Sequence, residues 1–265
     1  MTIQAAATDE IVVSPKAEGV VEVRLNRPDK LNALNEDMYG ALTSIFGQLH
    51  EDRAVRAIIL TGEGRGFCSG SDVGGMLKVT GLAARARLQR RHAAIRAIYG
   101  CEKPTIAAVR GPVAGIGFSV AMACDFVVAS ETTFFQQAFR NVGLVPDGGA
   151  IFFLNQRLGV GRAKDLVMTA RKIRAREALE WGLVHDLVAD DALEAKALEL
   201  ATELAAAPTF TLALAKKMFA ATASPSLDTV LEIESYAAGV ARTSADHKEG
   251  VTAFREKRKP NFTGE

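Results

Sequence analysis

Apolar and polar residues alternate along the first part of the chain in the manner of β-strands. Residues 20–26 carry an apolar side chain at every second position, and residues 11–14 lie close enough before them to form a hairpin. Residues 55–61, 105–110 and 125–130 are more continuously apolar, which is typical of strands buried on both faces. The pattern therefore predicts a sheet formed by the first two-thirds of the chain.

Helical spacing begins after Asn35, a residue type that favours helix N-caps. We predict a helix from there to about residue 49, with one apolar face. The residues on that face are Met38, Leu42, Ile45, Phe46 and Leu49.

The later part of the chain is dominated by helical patterns, and from residue 161 onward every predicted element is a helix. The predicted helices cover residues 81–99, 118–124, 162–170, 175–181, 192–206, 209–221 and 227–241. The first of these is basic, so we expect a solvated face or, for one or two side chains, an anion-facing role. Its arginines are Arg85, Arg87, Arg90, Arg91 and Arg96. We predict one α/β core, residues 1–200, followed by a helical region, residues 201–265.

Three glycine-rich turns each follow a predicted strand and open a helix. They cover residues 62–75, 111–117 and 143–149. The start of a helix offers free N–H donors and a partial positive charge, and glycine lets a ligand approach the backbone closely. Two such turns side by side could direct N–H groups at one developing oxyanion. A dinucleotide or P-loop site is disfavoured, because neither glycine spacing is present.

Composition narrows the class of protein. The net charge of +1 gives no indication of nucleic acid or of an anionic membrane as a partner. The three cysteines do not form a disulfide framework, and Cys68 is interpreted as a packed thiol. The longest apolar run, residues 112–124, is too short to span a bilayer, and the N-terminus has no secretory pattern, so we expect a cytoplasmic protein. The four histidines are scattered without metal-ligand spacing, so no metal site is predicted.

Five segments together resemble the enoyl-CoA hydratase/isomerase (crotonase) family. They are NRPDKLNALN (26–35), GRGFCSGSDV (64–73), KPTIAAVRGPVAGIGFSVAMACD (103–125), GLVPDGG (143–149) and FREKRKPNF (254–262). The resemblance runs from about residue 20 to residue 262. It implies an α/β fold of the crotonase type, a spiral of ββα units with a C-terminal helical trimerisation region. It also implies a homotrimer or a dimer of trimers.

The resemblance also implies a substrate site for an acyl-CoA thioester, with no further cofactor. The backbone N–H groups of Ser71 and Ile116 match the two oxyanion-hole donors, although the family usually has glycine at the second position. The residues matching the segments that bind the CoA thioester are Lys30, Leu31, Ser69, Asp72, Val73 and Lys257.

The acid/base positions indicate which reaction is catalysed. Hydratases of this family use two glutamates, and the matching positions here are Ser119 and Phe139, which cannot activate a water or deliver a proton. Related isomerases and dehalogenases carry a carboxylate just after the proline of the third turn, which here is Asp147. The resemblance therefore implies that Asp147 is catalytic and converts a 3-enoyl-CoA into a 2-enoyl-CoA. By its local sequence alone, Asp147 could instead form the turn and cap the next helix.

Other interpretations remain open. The chain could be a hydratase with unusual residues, a ring-derived acyl-CoA isomerase or a CoA-binding scaffold without activity. An RNA-binding member of the family is set aside, because that activity depends on a lysine-rich helix after the first loop. The matching residues 37–49 contain no Lys or Arg.

Overall fold

The computed structural model describes residues 8–72, 81–221, 240 and 243–264, without the side chains of residues 81–84, 254 and 255. The strands are β1 (Ile11–Ala17), β2 (Val20–Leu25), β3 (Ala57–Gly62), β4 (Thr105–Val109), β5 (Pro112–Ala114), β6 (Phe126–Ser130), β7 (Phe134–Gln136), β8 (Lys172–Arg174) and β9 (Asp186–Val188). The α-helices are α1 (Glu36–Glu51), α2 (Gly81–Tyr99), α3 (Ile116–Met122), α4 (Ala150–Thr169), α5 (Ala175–Glu180), α6 (Leu193–Ala205), α7 (Thr209–Ala221) and α8 (Ala245–Glu256).

The larger sheet has six strands in the order β1-β2-β3-β4-β6-β9. β1 and β2 form the predicted antiparallel hairpin, and the remaining neighbours are parallel. Alternate residues of each central strand enter different cores: Ile58 and Leu60 belong to the larger core with α1, and Ile59 packs with α6 on the opposite face. Both faces of the parallel sheet are thus covered, which explains why its strands are so continuously apolar.

Helix α1 is placed as the sequence predicts. The Asn35 side chain caps it by accepting a hydrogen bond of 2.9 Å from the Met38 N–H. The five apolar residues of the predicted face are all buried. The helix packs against α2.

The prediction that only helices follow residue 161 is wrong, because two strands lie between the predicted helices. β8 and β9 both lie beyond it, and β9 completes the edge of the large sheet beside β6. β5 and β7 were not predicted either, and together with β8 they form the second, three-stranded sheet. Each of these four strands has three residues, which is too short to display an alternating pattern. Pairing with distant neighbours, rather than local preference, determines them.

Other boundaries differ by smaller amounts. The predicted helix over residues 162–170 is the end of α4, which is bent at Gly159 (φ +72°). α3 begins at Ile116 instead of residue 118. The proposed domain boundary at residue 200 falls inside α6, which packs on the large sheet. The predicted helix over residues 227–241 lies outside the described residues, except for residue 240.

The C-terminal region is fastened to the sheet by Arg56. Its guanidinium donates to the carbonyls of Ala207 (2.6 Å) and Phe262 (2.7 Å) and to the Thr209 hydroxyl (3.0 Å). Among the described residues, no single helix is long and apolar enough to cross a membrane. One helix pair, Asp190–Ala205 with Thr209–Ala221, passes that test only together, and it is bent by 103°.

Candidate active site

The first two glycine-rich turns run side by side in parallel. The Cys68 N–H donates to the Pro112 carbonyl (3.1 Å), and the Ala114 N–H donates to the Cys68 carbonyl (3.0 Å). Cys68 is thereby paired with Val113. Two residues further along each turn, Gly70 lies beside Gly115, and these two glycines immediately precede Ser71 and Ile116.

Close packing of two glycines supports the same register. A Cβ atom on Gly115 would lie 3.7 Å from the Cα atom of Gly70. The two backbones therefore meet without intervening side chains. Gly115 is also held from the other side, because its N–H donates to the Gln136 carbonyl of β7 (3.0 Å).

The N–H groups of Ser71 and Ile116 are both available to a ligand. The Leu34 N–H donates to the Gly70 carbonyl and the Asp72 N–H donates to the Leu34 carbonyl, both at 2.8 Å. Since N–H groups alternate along an extended chain, that of Ser71 points away from Leu34. Ile116 is the first residue of α3, so its N–H has no partner within the helix. Neither group donates to an acceptor within the described part of the chain.

An isoleucine is compatible with the second donor position because its neighbour adopts the unusual backbone conformation. Gly115 has φ +53° and ψ −127°, whereas Ile116 has the helical backbone of α3. The Ile116 side chain is buried under the third turn, and its Cδ1 atom would lie 2.9 Å from a Cβ atom on Gly148. The bulk of isoleucine is thus accommodated where Gly148 has no side chain.

The third turn places Asp147 above the start of α3. The Ser119 hydroxyl of α3 donates to the Asp147 backbone carbonyl at 3.1 Å. The Asp147 side chain is only 13% exposed, and its Oδ2 accepts a hydrogen bond of 3.1 Å from Arg91. Its other oxygen, Oδ1, is buried and has no partner among the described residues. The third turn therefore presents a carboxylate oxygen that can accept a proton.

The environment of Asp147 is that of a base with increased proton affinity. Burial raises the pKa of its carboxyl above the ordinary value, and the Arg91 guanidinium opposes that rise. Asp147 does not cap the following helix, because the N-cap of α4 is Gly149 and no side chain caps it. The capping interpretation of Asp147 is therefore wrong.

The positions that carry glutamate in hydratases also lie at this site. Ser119 is fully buried beneath the third turn, and the Phe139 ring approaches Gly115, with 3.9 Å between its Cζ atom and a Cβ atom placed on that glycine. Neither side chain can act as a base near neutral pH.

Arg91 is a site residue that the sequence analysis did not single out. It is 8% exposed and faces the Asp147 carboxylate, which fits the anion-facing role expected for one or two arginines of its helix. Arg87 and Arg90 of the same helix instead bind Glu36. The regular spacing of arginines along α2 gives no signal that separates one of them, and the partner of Arg91 is 56 residues away in the sequence.

Comparison with known proteins identifies the family. A sequence model of the enoyl-CoA hydratase/isomerase family matches residues 15–265. The chain belongs to the enoyl-CoA hydratase/isomerase family. It is 37% identical over 259 residues to a 1,2-epoxyphenylacetyl-CoA isomerase from Escherichia coli (strain K12), covering 96% of this chain and 99% of that protein. It is 41% identical over 250 residues to a probable enoyl-CoA hydratase from Rhodobacter capsulatus, covering 94% of this chain and 96% of that protein.

Solved structures agree with this assignment. An enoyl-CoA hydratase from Bacillus anthracis superposes with a TM-score of 0.92 at 33% identity, covering 97% of this chain and 100% of that chain. The family and the crotonase-type α/β fold inferred from the five segments are confirmed. The protein is an enzyme of the enoyl-CoA hydratase/isomerase family.

In this family member, three of the residues expected near CoA form one unit. The Ser69 N–H donates to the Leu31 carbonyl (2.9 Å), and the Ser69 hydroxyl donates to the Lys30 carbonyl (3.3 Å). Leu31 is in the left-handed conformation, with φ +48°. The Lys30 side chain is exposed and free to reach an anionic group beside the first turn.

The other expected CoA residues are placed differently. The Asp72 carboxylate lies 3.0 Å from the Arg27 guanidinium, and its N–H is committed to Leu34. Val73 lies outside the described residues. Lys257 is exposed on the C-terminal tail, while neighbouring Arg258 binds Glu249. No hydrogen bond or ion pair joins Lys257 to the other expected CoA residues in the described ranges.

The remaining candidates are structural. Cys68 is fully buried, and burial raises the pKa of its thiol to about 12, so it is not a reactive nucleophile. Among the described residues, no three His, Cys, Asp or Glu side chains cluster so that they could hold a metal ion.

Proposed function

We propose that this family member is an acyl-CoA isomerase that moves a C3–C4 double bond to the conjugated C2–C3 position. The observation that carries the proposal is the arrangement around Asp147. Among the described residues, one buried carboxylate oxygen of Asp147 has no partner, and it lies above the helix whose first N–H donates to none of them. The two alternative acid/base positions are occupied by a serine and a phenylalanine.

The proposed reaction needs one base and one oxyanion site. The thioester carbonyl accepts hydrogen bonds from the N–H groups of Ser71 and Ile116. Asp147 Oδ1 removes a proton from C2, and the electrons of the broken C–H bond form an enolate stabilised by the two donors. Asp147 then returns the proton at C4, which gives the 2-enoyl-CoA and regenerates the carboxylate. One residue suffices because it acts first as base and then as acid.

Substitution of Asp147 by Asn tests this proposal. The amide keeps the size of the side chain but cannot accept the proton. We expect Asp147→Asn to reduce conversion of 3-hexenoyl-CoA to 2-hexenoyl-CoA by about 10²-fold or more, with little change in CoA-thioester affinity. Ser119→Ala is the matched control at the same turn, since it removes one neutral hydrogen bond and no proton carrier. A harmless Asp147→Asn with a damaging Ser119→Ala would refute the proposal.

A ring-derived substrate is a second candidate, supported by the 37% identical relative that is named a 1,2-epoxyphenylacetyl-CoA isomerase. A carboxylate and an oxyanion site could also serve isomerisation of such a thioester. Comparing kcat/KM for 3-hexenoyl-CoA and 1,2-epoxyphenylacetyl-CoA distinguishes the two substrates. Addition of water to crotonyl-CoA tests the hydratase alternative, and we expect it to be slow because Ser119 and Phe139 carry no carboxylate.

We also propose a trimer or a dimer of trimers. Among the described residues, α4 and the loop before it expose several large apolar side chains, and α7 exposes Phe219. Such surfaces are commonly covered by a partner subunit. The residues on α4 and its loop are Val142, Leu144, Val145, Ile151, Phe152, Val160 and Met168. Light scattering at micromolar concentration should give three or six times the chain mass of 28.2 kDa. A monomer would contradict the proposed assembly.

A further inference from the structure

Side chains of α1 and α2 connect the turn that carries Ser71 with the turn that carries Asp147. The Tyr39 hydroxyl and the Ser71 hydroxyl lie 2.9 Å apart. The Arg91 guanidinium carbon lies 5.4 Å from the centre of the Tyr39 ring, and its NH1 atom lies 3.1 Å from Asp147 Oδ2. A continuous set of contacts therefore runs from the first oxyanion turn, through Tyr39 and Arg91, to the carboxylate of the third turn.

We infer that Arg91 is a positioning residue for Asp147: it holds Oδ2, directs Oδ1 toward the substrate and keeps the carboxylate in its proton-accepting form. The inference rests on the proposed function, since it assigns the means by which the proposed base is oriented. Arg91 does not need to touch the substrate in this role.

The geometry of the Arg91–Asp147 contact suits this role. Arginine and carboxylate often pair through two parallel hydrogen bonds, which would occupy both carboxylate oxygens. Here one hydrogen bond is made, and Oδ1 stays without a partner in the described part of the chain. The carboxylate is thus fixed at one oxygen and available at the other.

Arg91 is itself held in place from the side of α1. Its guanidinium lies over the Tyr39 ring, and its NH2 atom is 3.7 Å from the Glu36 carboxylate. Glu36 is shared with Arg87 and Arg90, so Arg91 is not neutralised by it alone. The positive charge of Arg91 therefore acts on Asp147 as well as on Glu36.

The charges facing Asp147 determine the direction of its response. Arg91 and His92 approach from α2 and favour its ionised form, while burial opposes it. On α1, Tyr39 and Glu36 contact Arg91. The Tyr39 phenol is neutral near pH 7, and burial raises its pKa further above that range. Removing the charge of Arg91 therefore raises the pKa of Asp147, and a base that must be ionised then works only at higher pH.

The pH profile of isomerisation tests the inference, with 3-hexenoyl-CoA as the probe. For Arg91→Gln we expect the acidic limb of kcat/KM to move upward by about one pH unit or more. We also expect kcat at neutral pH to fall roughly tenfold or more, with KM little changed. Arg91→Lys should keep the limb near its original pH while kcat stays reduced, because an ammonium supplies charge without the planar fork. Arg90→Gln is the matched control on the same helix and should behave like the unmodified protein.

Two outcomes overturn the inference. One is a folded Arg91→Gln variant whose acidic limb does not move. The other, decisive if Arg91→Gln does not fold, is an Arg91→Lys variant with unreduced kcat or with a change in KM alone. The companion variant Asp147→Asn separates this failure from that of the proposed function. If Asp147→Asn retains isomerisation, the proposed base is wrong whatever Arg91 does. If Asp147→Asn loses isomerisation while the Arg91 variants behave like the unmodified protein, only the positioning role of Arg91 is refuted.

Discussion

The two halves of the candidate site are built in different ways. The donor half, defined by the turns that carry Ser71 and Ile116, consists of backbone groups packed between buried elements. The base half, defined by residues 143–149, is a surface loop that contributes one side chain. In the donor half a Cβ atom on Gly117 would lie 2.5 Å from the Cys68 carbonyl oxygen, whereas in the base half a Cβ atom on Gly143 would meet nothing within 4 Å.

This difference separates the part that fixes geometry from the part that selects chemistry. Backbone donors do not depend on which side chains surround them, provided that the packing is kept. The base half exposes Val145 by 80% and Leu144 by 48%, so its sequence is under fewer packing constraints. A single change there can add or remove a carboxylate without disturbing the donors.

The largest expected difference comes from adding one methyl group to the donor half and, separately, one to the base half. In Gly117→Ala the new methyl group would clash with backbone, so α3 must move and the Ile116 donor with it. We expect a loss of about 3 kcal/mol or more in the free energy of unfolding and a fall of about 10²–10³ in rate. Gly143→Ala, at φ +69° in open space, should cost about 1–2 kcal/mol and change the rate little. Denaturant unfolding and the isomerisation assay measure both, and equal effects would abolish the proposed contrast.

A smaller effect is expected in how the free energy of unfolding depends on pH. Burial raises the pKa of Asp147 above 3.8, so the folded protein binds this proton more tightly than the unfolded chain. Stability from this group is present below pH 3.8 and is lost as pH rises through the raised folded value. Asp147→Asn, which resembles the protonated form, should therefore be more stable than the unmodified protein at pH 7. The advantage should disappear toward pH 3.8.

Thermal unfolding at several pH values checks this expectation. Asp165→Asn is a suitable control, because that carboxylate lies in a partly exposed ion pair with Arg171 at 2.8 Å and should gain nothing at pH 7. An Asp147→Asn variant that is less stable at pH 7 would show that the Arg91 pair outweighs burial.

The smallest effects are changes in KM on substitution of the two exposed lysines that the sequence places near CoA. Lys30→Ala or Lys257→Ala should raise KM for a CoA thioester about two- to fivefold at low salt, with kcat unchanged, as for a solvent-exposed ion pair. Added salt should reduce the difference because phosphate contacts are screened. Lys164→Ala on α4 is the matched control. A salt-independent change in KM at Lys30 would argue against a phosphate contact.

Local sequence signals predict the parts of the fold that local interactions stabilise. Asn35 and the apolar face of α1 specify that helix through capping and periodicity, and the structure has both. The strands β5, β7, β8 and β9 could not be found in this way, since three residues carry no period and each strand is specified by its neighbour in the sheet.

The candidate site shows the same division. The turns and the carboxylate of Asp147 are visible in the sequence because glycines and a proline mark them. Arg91 is not, because its burial follows from the packing of α2 on α1 and from a contact 56 residues away. Such a contact leaves no trace in the spacing of residues along one helix. The place of Asp72 in the segment that binds the CoA thioester stays a prediction; the structure adds that its carboxylate lies beside Arg27.

The hydrogen bonds of Arg56 to the C-terminal region join distant parts of the chain. Its acceptors Ala207 and Phe262 lie 151 and 206 residues further along the chain. During synthesis, the last strand of the sheet ends at Val188, so the segment that holds Ser71, Ile116 and Asp147 is complete before either acceptor exists. Contacts between residues this far apart carry a large loop-closure entropy, which native packing must offset. A chain that stops before Phe262 would keep Ser71, Ile116 and Asp147 and would lose one of the three hydrogen bonds of Arg56.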